Sequence, residues 1–275
     1  MNIFDRFSNG WTIAQNSFAV LKENRSLIVF PILSGISMMI VIATFITAML
    51  AANDWNTQLL DDQSRVAQYG ILFIYYLINY TVIVFFNTAL VHCTHLYFNG
   101  EEPTIRKGLQ FSLSRMGAIL SWAVFAATVG TILRVLQDNF GRIGKIVVGL
   151  IGIAWSIATF FVVPIIANEN LGPIAAFKRS SQLVKEKWGE SLGASFSFGL
   201  IQLAAFALLA IPCFAIGYLI HPIAGIILGV LGVFTIIVIF NAAKVVFVSA
   251  IYYNIQGDPV KHYNQALADN LFIEK

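Results

Sequence analysis

Five long stretches of this chain contain no Asp, Glu, Lys or Arg, and they limit what the chain can fold into. They cover residues 26–53, 66–100, 116–133, 146–168 and 191–243. A helix that crosses a membrane needs about 20 mostly apolar residues, because each residue rises about 1.5 Å and the hydrocarbon core is about 30 Å thick. The last stretch is long enough for two such helices, and we expect Pro212 and the His221-Pro222 pair to divide it. The sequence therefore predicts an all-α, polytopic membrane protein with six transmembrane helices.

The composition supports the same prediction. Hydrophobic residues make up 58% of the chain and charged residues 11%, which leaves too little polar surface to cover a soluble globule of 275 residues. Six spans of about 22 residues use roughly half of the chain. We therefore expect a single membrane domain over residues 1–275, with no separate catalytic domain.

The cations are unevenly divided between the segments that connect the predicted spans. With a cytoplasmic N-terminus, the inner segments hold Arg6, Lys22, Arg25, Arg106, Lys107, Arg115, Lys178, Arg179, Lys185, Lys187, Lys244, Lys261 and Lys275. The outer segments hold Arg65, Arg134, Arg142 and Lys145. Cytoplasmic loops are enriched in Lys and Arg, so this division of 13 to 4 predicts that both termini are cytoplasmic. The loop at 137–145 departs from the pattern, since three of the four outer cations flank it or lie in it.

A short amphipathic helix is predicted before the first, third and fifth spans. In the first, large apolar residues are spaced three or four apart, which places them on one helical face. They are Phe4, Phe7, Trp11, Ala14, Phe18 and Leu21. The second helix follows Thr104 as N-cap and is expected to end at Gly117, while the third runs from Pro173 to Gly189. The apolar residues are Leu109, Phe111, Leu113 and Met116 in the second, and Ile174, Phe177, Leu183, Val184 and Trp188 in the third.

These helices suggest an internal repeat. Each unit would consist of an interfacial amphipathic helix followed by a transmembrane hairpin, over residues of about 1–98, 99–169 and 170–255. A short cytoplasmic segment, 256–275, would close the chain. In the first helix we expect Phe7, Trp11 and Phe18 to face the acyl boundary or a neighbouring span, and Gln15 and Lys22 to face water.

Basic residues cluster on the second and third amphipathic helices. They are Arg106, Lys107, Lys178, Arg179, Lys185 and Lys187. A basic helix with an apolar face lies in the headgroup plane, where its cations attract anionic lipid. We therefore interpret these residues as a surface for lipid headgroups. Two alternatives remain open: helices that only set the angle of the next span, or faces on which protein partners dock.

Few polar side chains lie at membrane depth, and each is informative because a polar group in lipid is costly. They are Asn79, Asn87, Gln202, Asn241 and Lys244. Together they would line the path of a channel or transporter, although Lys244 can instead extend its ammonium group to the headgroups. The predicted spans contain no Asp or Glu, which argues against a carrier that moves protons through a buried carboxylate.

Glycines recur within the predicted spans at helical spacings. They are Gly189 and Gly193, then Gly225, Gly229 and Gly232, and in the fourth span Gly141, Gly144, Gly149 and Gly152. Small residues let helix backbones approach closely. The spacing fits packing within the bundle or contact between copies of the chain, and the sequence leaves both open.

Signals for catalysis or cofactor binding are weak. His92 and His95 would share a helical face, but two imidazoles do not make a metal site, so we expect no metal and no cofactor. Cys93 and Cys213 fall near opposite ends of their spans, so we expect no disulfide. The sequence carries no motif of a zinc protease or a serine hydrolase. We therefore expect no catalytic residues, and no nucleic-acid partner.

Four segments carry a likeness to a known family. They are residues 29–33 (VFPIL), 92–122, 158–191 and 250–259 (AIYYNIQGDP). These segments resemble a bacterial family of six-helix integral membrane proteins whose function is unassigned. The resemblance implies a multi-pass protein of the bacterial inner membrane and transfers no activity.

Two functions fit the sequence. The favoured one is a non-enzymatic membrane protein that organises lipids, above all anionic lipids, or protein partners, as a homo-oligomer or with another membrane protein. The alternative is an oligomeric channel or transporter for ions or small solutes.

Overall fold

The structure is a computed structural model that describes residues 15–52, 64–186, 188–258 and 260, and within them all side chains except those of 52, 142–143, 186 and 188–197. The described chain forms ten helices. They are α1 (15–23), α2 (Ser26–Ala52), α3 (Arg65–Phe98), α4 (Ile105–Ser114), α5 (Met116–Asn139), α6 (Gly141–Ala158), α7 (Val162–Asn168), α8 (Pro173–Glu186), α9 (Trp188–Leu219) and α10 (Pro222–Gln256). Some predictions fall on residues that the structure does not describe: Phe4, Phe7, Trp11, Ala14, Lys187 and residues 261–275.

Six segments are long and apolar enough to cross a membrane. They are Ser26–Ala51, Arg65–Phe98, Met116–Asn139, Gly144–Asn168, Phe198–Leu219 and Pro222–Gln256. This confirms the prediction of an all-α chain with six candidate membrane-spanning helices.

The predicted end of the second short helix is wrong. Helix α4 ends at Ser114, not at Gly117. Arg115 makes the turn after α4 with φ −99° and ψ 9°, values that a residue with a side chain adopts without strain. Gly117 lies within the next long helix, α5, since membrane helices accommodate glycine. The predicted end of the third short helix at Gly189 is not tested, because residue 187 lies outside the described residues.

The long apolar stretch at the C-terminal end divides once. Helix α9 ends at Leu219 and α10 begins at Pro222, after an extended His221 whose Nδ1 accepts a hydrogen bond from the N–H of Ile223 at 3.3 Å. Pro212 was also expected to break the helix, but it lies inside α9. A membrane helix tolerates an internal proline because neighbouring groups and small local adjustments satisfy the freed backbone groups.

The fourth predicted span consists of two helices, α6 and α7, separated by residues 159–161. Pro164 explains the interruption. It has no N–H to donate to the carbonyl of Phe160, four residues earlier, so an unbroken helix would lose that bond and meet a steric clash. In the first turn of α7 the missing N–H costs nothing.

The chain divides into two compact units. The first unit contains residues 15–32, 90–105 and the described residues from 185 onward, and the second contains 33–89 and 106–184.

The core of the first unit is built around the C-terminal part of α10, where Ala242, Ala243 and residues 246–253 are buried. Helix α10 has 35 residues and is about 50 Å long, well beyond the hydrocarbon core of a bilayer. It ends at Gln256 and is followed by Gly257, whose φ of 85° is readily adopted only by glycine. The charge-free stretch ends at residue 243, whereas the helix continues to Gln256, a length that the charge pattern did not predict.

Two glycines of α10 pack within the first unit. A Cβ atom on Gly225 would lie 2.6 Å from the carbonyl oxygen of Cys213, and one on Gly232 would lie 2.5 Å from the side chain of Leu209. Both positions therefore serve the contact between α9 and α10. In α6, by contrast, a Cβ on Gly149 or Gly152 would meet open space. Gly189 and Gly193 lie outside the residues whose side-chain surroundings are described.

The core of the second unit is formed by residues of α3, α5 and α7. Its buried residues are Val84, Ile119, Trp122, Ala126, Val162 and Ile166. Five partly buried rings pack against this core: Tyr80, Phe85, Phe125, Trp155 and Phe177. The Trp155 ring stacks on that of Phe177 at a centroid distance of 5.4 Å. Helix α8, which carries Phe177, is therefore held against α5 and α6 by aromatic contacts.

Candidate functional site

Helix α4 packs against α3 through small residues. Gly108 and Ser112 are its buried residues, and Ser112 Oγ donates a hydrogen bond to the carbonyl oxygen of Phe85 at 2.8 Å. Leu113, one of the apolar residues predicted for this helix, lies away from the contact and is 59% exposed. Small side chains let the two backbones come close enough for this direct bond, which a face of large apolar residues would prevent.

Helix α8 is attached in a similar way. Ala176 and Ser180 are buried, and Ser180 Oγ accepts a hydrogen bond from the N–H of Phe161 at 3.0 Å. The first N–H groups of a helix have no acceptor within it, so Ser180 satisfies a backbone donor at the start of α7. Leu183 and Val184 are buried as predicted, whereas Ile174 is exposed.

Ser112 and Ser180 were missed by the sequence analysis. The available signal was a pair of small residues four apart on each helix, Gly108 with Ser112 and Ala176 with Ser180. Such pairs mark close helix contacts in membranes. The prediction of these helices rested on the spacing of large apolar residues and did not consider small ones.

The cations lie on the faces away from these contacts. Arg106 and Lys107 on α4 are exposed, and so are Lys178 and Lys185 on α8. Lys178 is two residues from both Ala176 and Ser180, which is about half a helical turn and places it opposite the packed face. Arg106, Lys107 and Lys178 belong to the second unit, and Lys185 belongs to the first.

Arg179, another predicted headgroup ligand, lies beside a carboxylate. Its Nε lies 3.3 Å from a carboxylate oxygen of Glu169, and both side chains are largely covered. Its charge is therefore already compensated. Lys187 lies outside the described residues.

The described part of the first amphipathic helix, α1, is oriented as predicted. The ring of Phe18 lies 5.3 Å from that of Phe240 and 6.2 Å from that of Phe198, so it faces neighbouring spans. Gln15 and Lys22 are exposed.

The polar residues at membrane depth do not come together in one unit. Asn79 and Asn87 belong to the second unit, whereas Gln202, Asn241 and Lys244 belong to the first. Asn79 is buried, and its amide nitrogen donates to the carbonyl of Tyr75 at 2.7 Å. Lys244 is exposed, as expected if its ammonium group reaches the headgroups.

Three buried polar atoms of the described chain have no hydrogen-bond partner. They are Asn79 Oδ1, Thr88 Oγ1 and Thr131 Oγ1. All three belong to the second unit. The two threonines were not singled out from the sequence.

The histidine pair is not part of a metal cluster in the described residues. Among them, no three His, Cys, Asp or Glu side chains are placed to hold one ion. The His95 ring stacks on Tyr253 at a centroid distance of 4.3 Å, and its Nε2 lies 3.1 Å from the amide nitrogen of Asn99. Within the described residues Cys93 and Cys213 form no disulfide, and the Cys93 thiol lies 3.5 Å from the carbonyl oxygen of Thr104.

A family model matches residues 66–263, which include α4, α8 and all the candidate spans except the first. The chain belongs to DUF6159, a family of unknown function. The match confirms the resemblance to a membrane-protein family without an assigned activity. The DUF6159 assignment therefore supports a membrane protein and leaves its role open. A search of curated proteins finds no match to the chain.

Proposed function

We propose that this protein is a non-enzymatic, multi-pass protein of the bacterial inner membrane that organises anionic lipid, or a protein partner, through the basic helices α4 and α8. One observation carries the proposal. The small-residue faces of both helices are bonded to spans through Ser112 and Ser180, while exposed cations point away. Cations at a membrane surface attract anionic headgroups. Because these helices are already held in place, binding a headgroup costs them little conformational entropy.

The repeat organisation is part of the proposal. Helices α1 and α8 share a sequence register, SFAVLKE at 17–23 and SSQLVKE at 180–186. The equivalent residues share their environments: Ser17 and Ser180 are buried, Val20 and Leu183 are buried, and Lys22 and Lys185 are exposed. This correspondence supports a duplicated unit of short helix and transmembrane hairpin.

Charge neutralisation tests the lipid role. Each Lys or Arg near an anionic surface contributes about 1 kcal/mol, so single changes should have little effect. The quadruple variant Arg106→Gln, Lys107→Gln, Lys178→Gln and Lys185→Gln should reduce retained phosphatidylglycerol about tenfold or more, read by native mass spectrometry after purification from mixed vesicles. Gln preserves helix propensity.

The chain supplies a control with the same loss of charge. Four Gln substitutions at Arg65, Arg134, Arg142 and Lys145 should leave retention unchanged if the lipid surface is on α4 and α8. Raising the salt concentration should shrink the difference between the two variants. Equal losses in both, or none in either, would contradict the proposal.

The proposed orientation has both termini in the cytoplasm. Its test uses single cysteines at Asn56 and Glu102 on a cysteine-free background. A membrane-impermeant thiol reagent should label the first in intact cells and the second only after permeabilisation. The reverse pattern would overturn the orientation.

A channel or transporter is the second candidate, and the buried polar atoms without partners in the second unit favour it. Its test is ion or solute flux through protein in liposomes. Flux that is abolished by Asn79→Leu, Asn87→Leu or Asn241→Leu, and kept by Asn139→Leu at the exposed end of α5, would support conduction. Absence of flux from the parent protein would favour the organising role.

A further inference from the structure

A cavity of about 320 Å³ lies between α2 and α3, at the ends that residues 53–63 connect. Its lining residues are Ile42, Phe45, Ile46 and Met49 of α2, and Gln68, Ile71, Leu72 and Tyr75 of α3. On each helix they occupy positions i, i+3, i+4 and i+7, which lie on one helical face. The two faces meet at the rings of Phe45 and Tyr75, which pack edge to face at a centroid distance of 5.3 Å. The cavity belongs wholly to the second unit.

The position of the cavity along the helices places it within one leaflet. Residues 42–49 lie three to ten positions before Ala52, the last residue of α2. At the helical rise this is about 5–15 Å from the helix end, and half of a hydrocarbon core is about 15 Å thick. The solvent at that depth is the acyl chains of lipid.

The lining is mainly apolar. Six of the eight lining side chains are apolar, and the Gln68 amide and the Tyr75 hydroxyl are its polar groups. A stable internal water needs two to four polar partners, so two polar side chains leave most of the volume to an apolar occupant. The volume is in the range of ligand-binding pockets, about 300–1,000 Å³, which are also mainly apolar with a few polar groups.

Gln68 lies at the end of the cavity nearest the membrane surface. It is the fourth residue of α3, about 5 Å from the helix start, and it is exposed. A ligand with an apolar chain in the cavity would bring its polar part to the level of this amide.

We propose that this cavity binds one acyl chain of a phospholipid of the same leaflet, with the glycerol and headgroup beside Gln68. This site is distinct from the basic surface of α4 and α8, because it selects for an apolar chain and not for headgroup charge. It should therefore bind a zwitterionic phospholipid, for which the basic helices have no preference.

Photolabelling tests the site directly. The probe is phosphatidylcholine with a diazirine in the middle of one acyl chain, added to delipidated full-length protein in detergent. Peptide mass spectrometry should find the label on residues 42–49 or 68–75. Leu72→Trp fills the cavity and should reduce this labelling about tenfold or more, because the indole occupies the same space as the chain.

Ile40→Trp is the matched control, since Ile40 lies on α2 outside the lining and is 62% exposed. It should leave labelling unchanged. If Leu72→Trp lowers the melting temperature, Ile46→Phe provides a smaller filling change that should reduce labelling in the folded protein. Labelling spread evenly over all lipid-facing helices, or unaffected by both filling variants, would overturn the proposal.

Competition identifies the source of the acyl chain. Unlabelled phosphatidylcholine should displace the probe at a lower concentration than palmitic acid does. The opposite order would assign the cavity to free fatty acids and contradict a phospholipid site.

Discussion

In each compact unit, the end that carries the short helices is densely packed, whereas the opposite end is open. In the first unit, Phe247 near α1 is fully buried, but Phe214 near the α9–α10 turn is 82% exposed. In the second unit, the core around Trp122 lies at the α4 and α8 end, and the α2–α3 cavity lies at the other end. At the packed ends, aromatic side chains of the short helices contact the spans: Phe18 of α1 in the first unit and Phe177 of α8 in the second.

The hydropathy of a span does not indicate how much of that span is buried. The Met116–Asn139 span is among the least apolar of the six and has the largest buried share, whereas Pro222–Gln256 is the most apolar and has a smaller buried share. A residue that faces lipid must be as apolar as one that faces another helix, because both environments lack water. Hydrophobicity thus identifies the spans without identifying their packed faces.

The largest expected effect comes from a pair of phenylalanines, one at each end of the first unit. Phe247→Ala should lower the free energy of unfolding by about 3–5 kcal/mol, because it opens a cavity in a closed core. Phe214→Ala removes the same atoms from a lipid-exposed position and should cost about 0.5 kcal/mol or less. Thermal unfolding in detergent compares them. Similar losses would show that the two ends do not differ in packing.

Two glycines of α10 test whether close contact with α9 stabilises the open end of the first unit. Gly225→Ala should cost about 1–3 kcal/mol, because the added methyl group overlaps the backbone of α9. Gly229→Ala is the control, since its Cβ would lie 3.7 Å from Cys213 Sγ, an ordinary contact. The measurement is the rate of proteolysis or the melting temperature. A larger effect at Gly229 would contradict the close approach at Gly225.

Two neighbouring serines test the attachment of α8 at the packed end. Ser180→Ala should cost about 1–2 kcal/mol, because it leaves the N–H of Phe161 without an acceptor. Ser181→Ala should cost about 0.5 kcal/mol or less, since its hydroxyl only donates to the carbonyl of Phe177 in its own helix. Faster hydrogen exchange at the Phe161 amide in the first variant alone would confirm the bond.

The smallest effects are expected from two ion pairs. Glu169→Gln at the packed end should cost about 1 kcal/mol or less, and Asp138→Asn at the open end about 0.3–0.5 kcal/mol. The difference follows from exposure, because Arg134 and Asp138 are 51% and 36% exposed, whereas Arg179 and Glu169 are 34% and 22% exposed. Added salt should reduce the Asp138 effect more. Melting curves at two salt concentrations provide the comparison.

Particular residues show where sequence reasoning succeeded. The charge-free stretches predicted the six apolar helices because apolar length is a local property of the chain. The orientation of Phe18 followed from its three- and four-residue spacing, and the separation of α9 from α10 followed from the His221-Pro222 pair. Each of these signals lies within one helix or one turn.

The errors have a common cause. Pro212 was read as a break, but a proline in a membrane helix breaks it only where no neighbouring group or local adjustment satisfies the backbone. The face by which α4 contacts α3 was not predicted, and it consists of Gly108 and Ser112. Each outcome depends on a partner helix far away in the sequence.

The amino-acid order alone establishes that this chain is helical and apolar over six membrane-length segments, because backbone hydrogen bonding in lipid leaves helices as the only solution for such stretches. Tertiary structure decides which faces meet. Ser112 reaches Phe85 and Ser180 reaches Phe161 across 27 and 19 residues of chain. Without a hydrophobic preference for one apolar face over another in lipid, close packing and direct hydrogen bonds select the contacts.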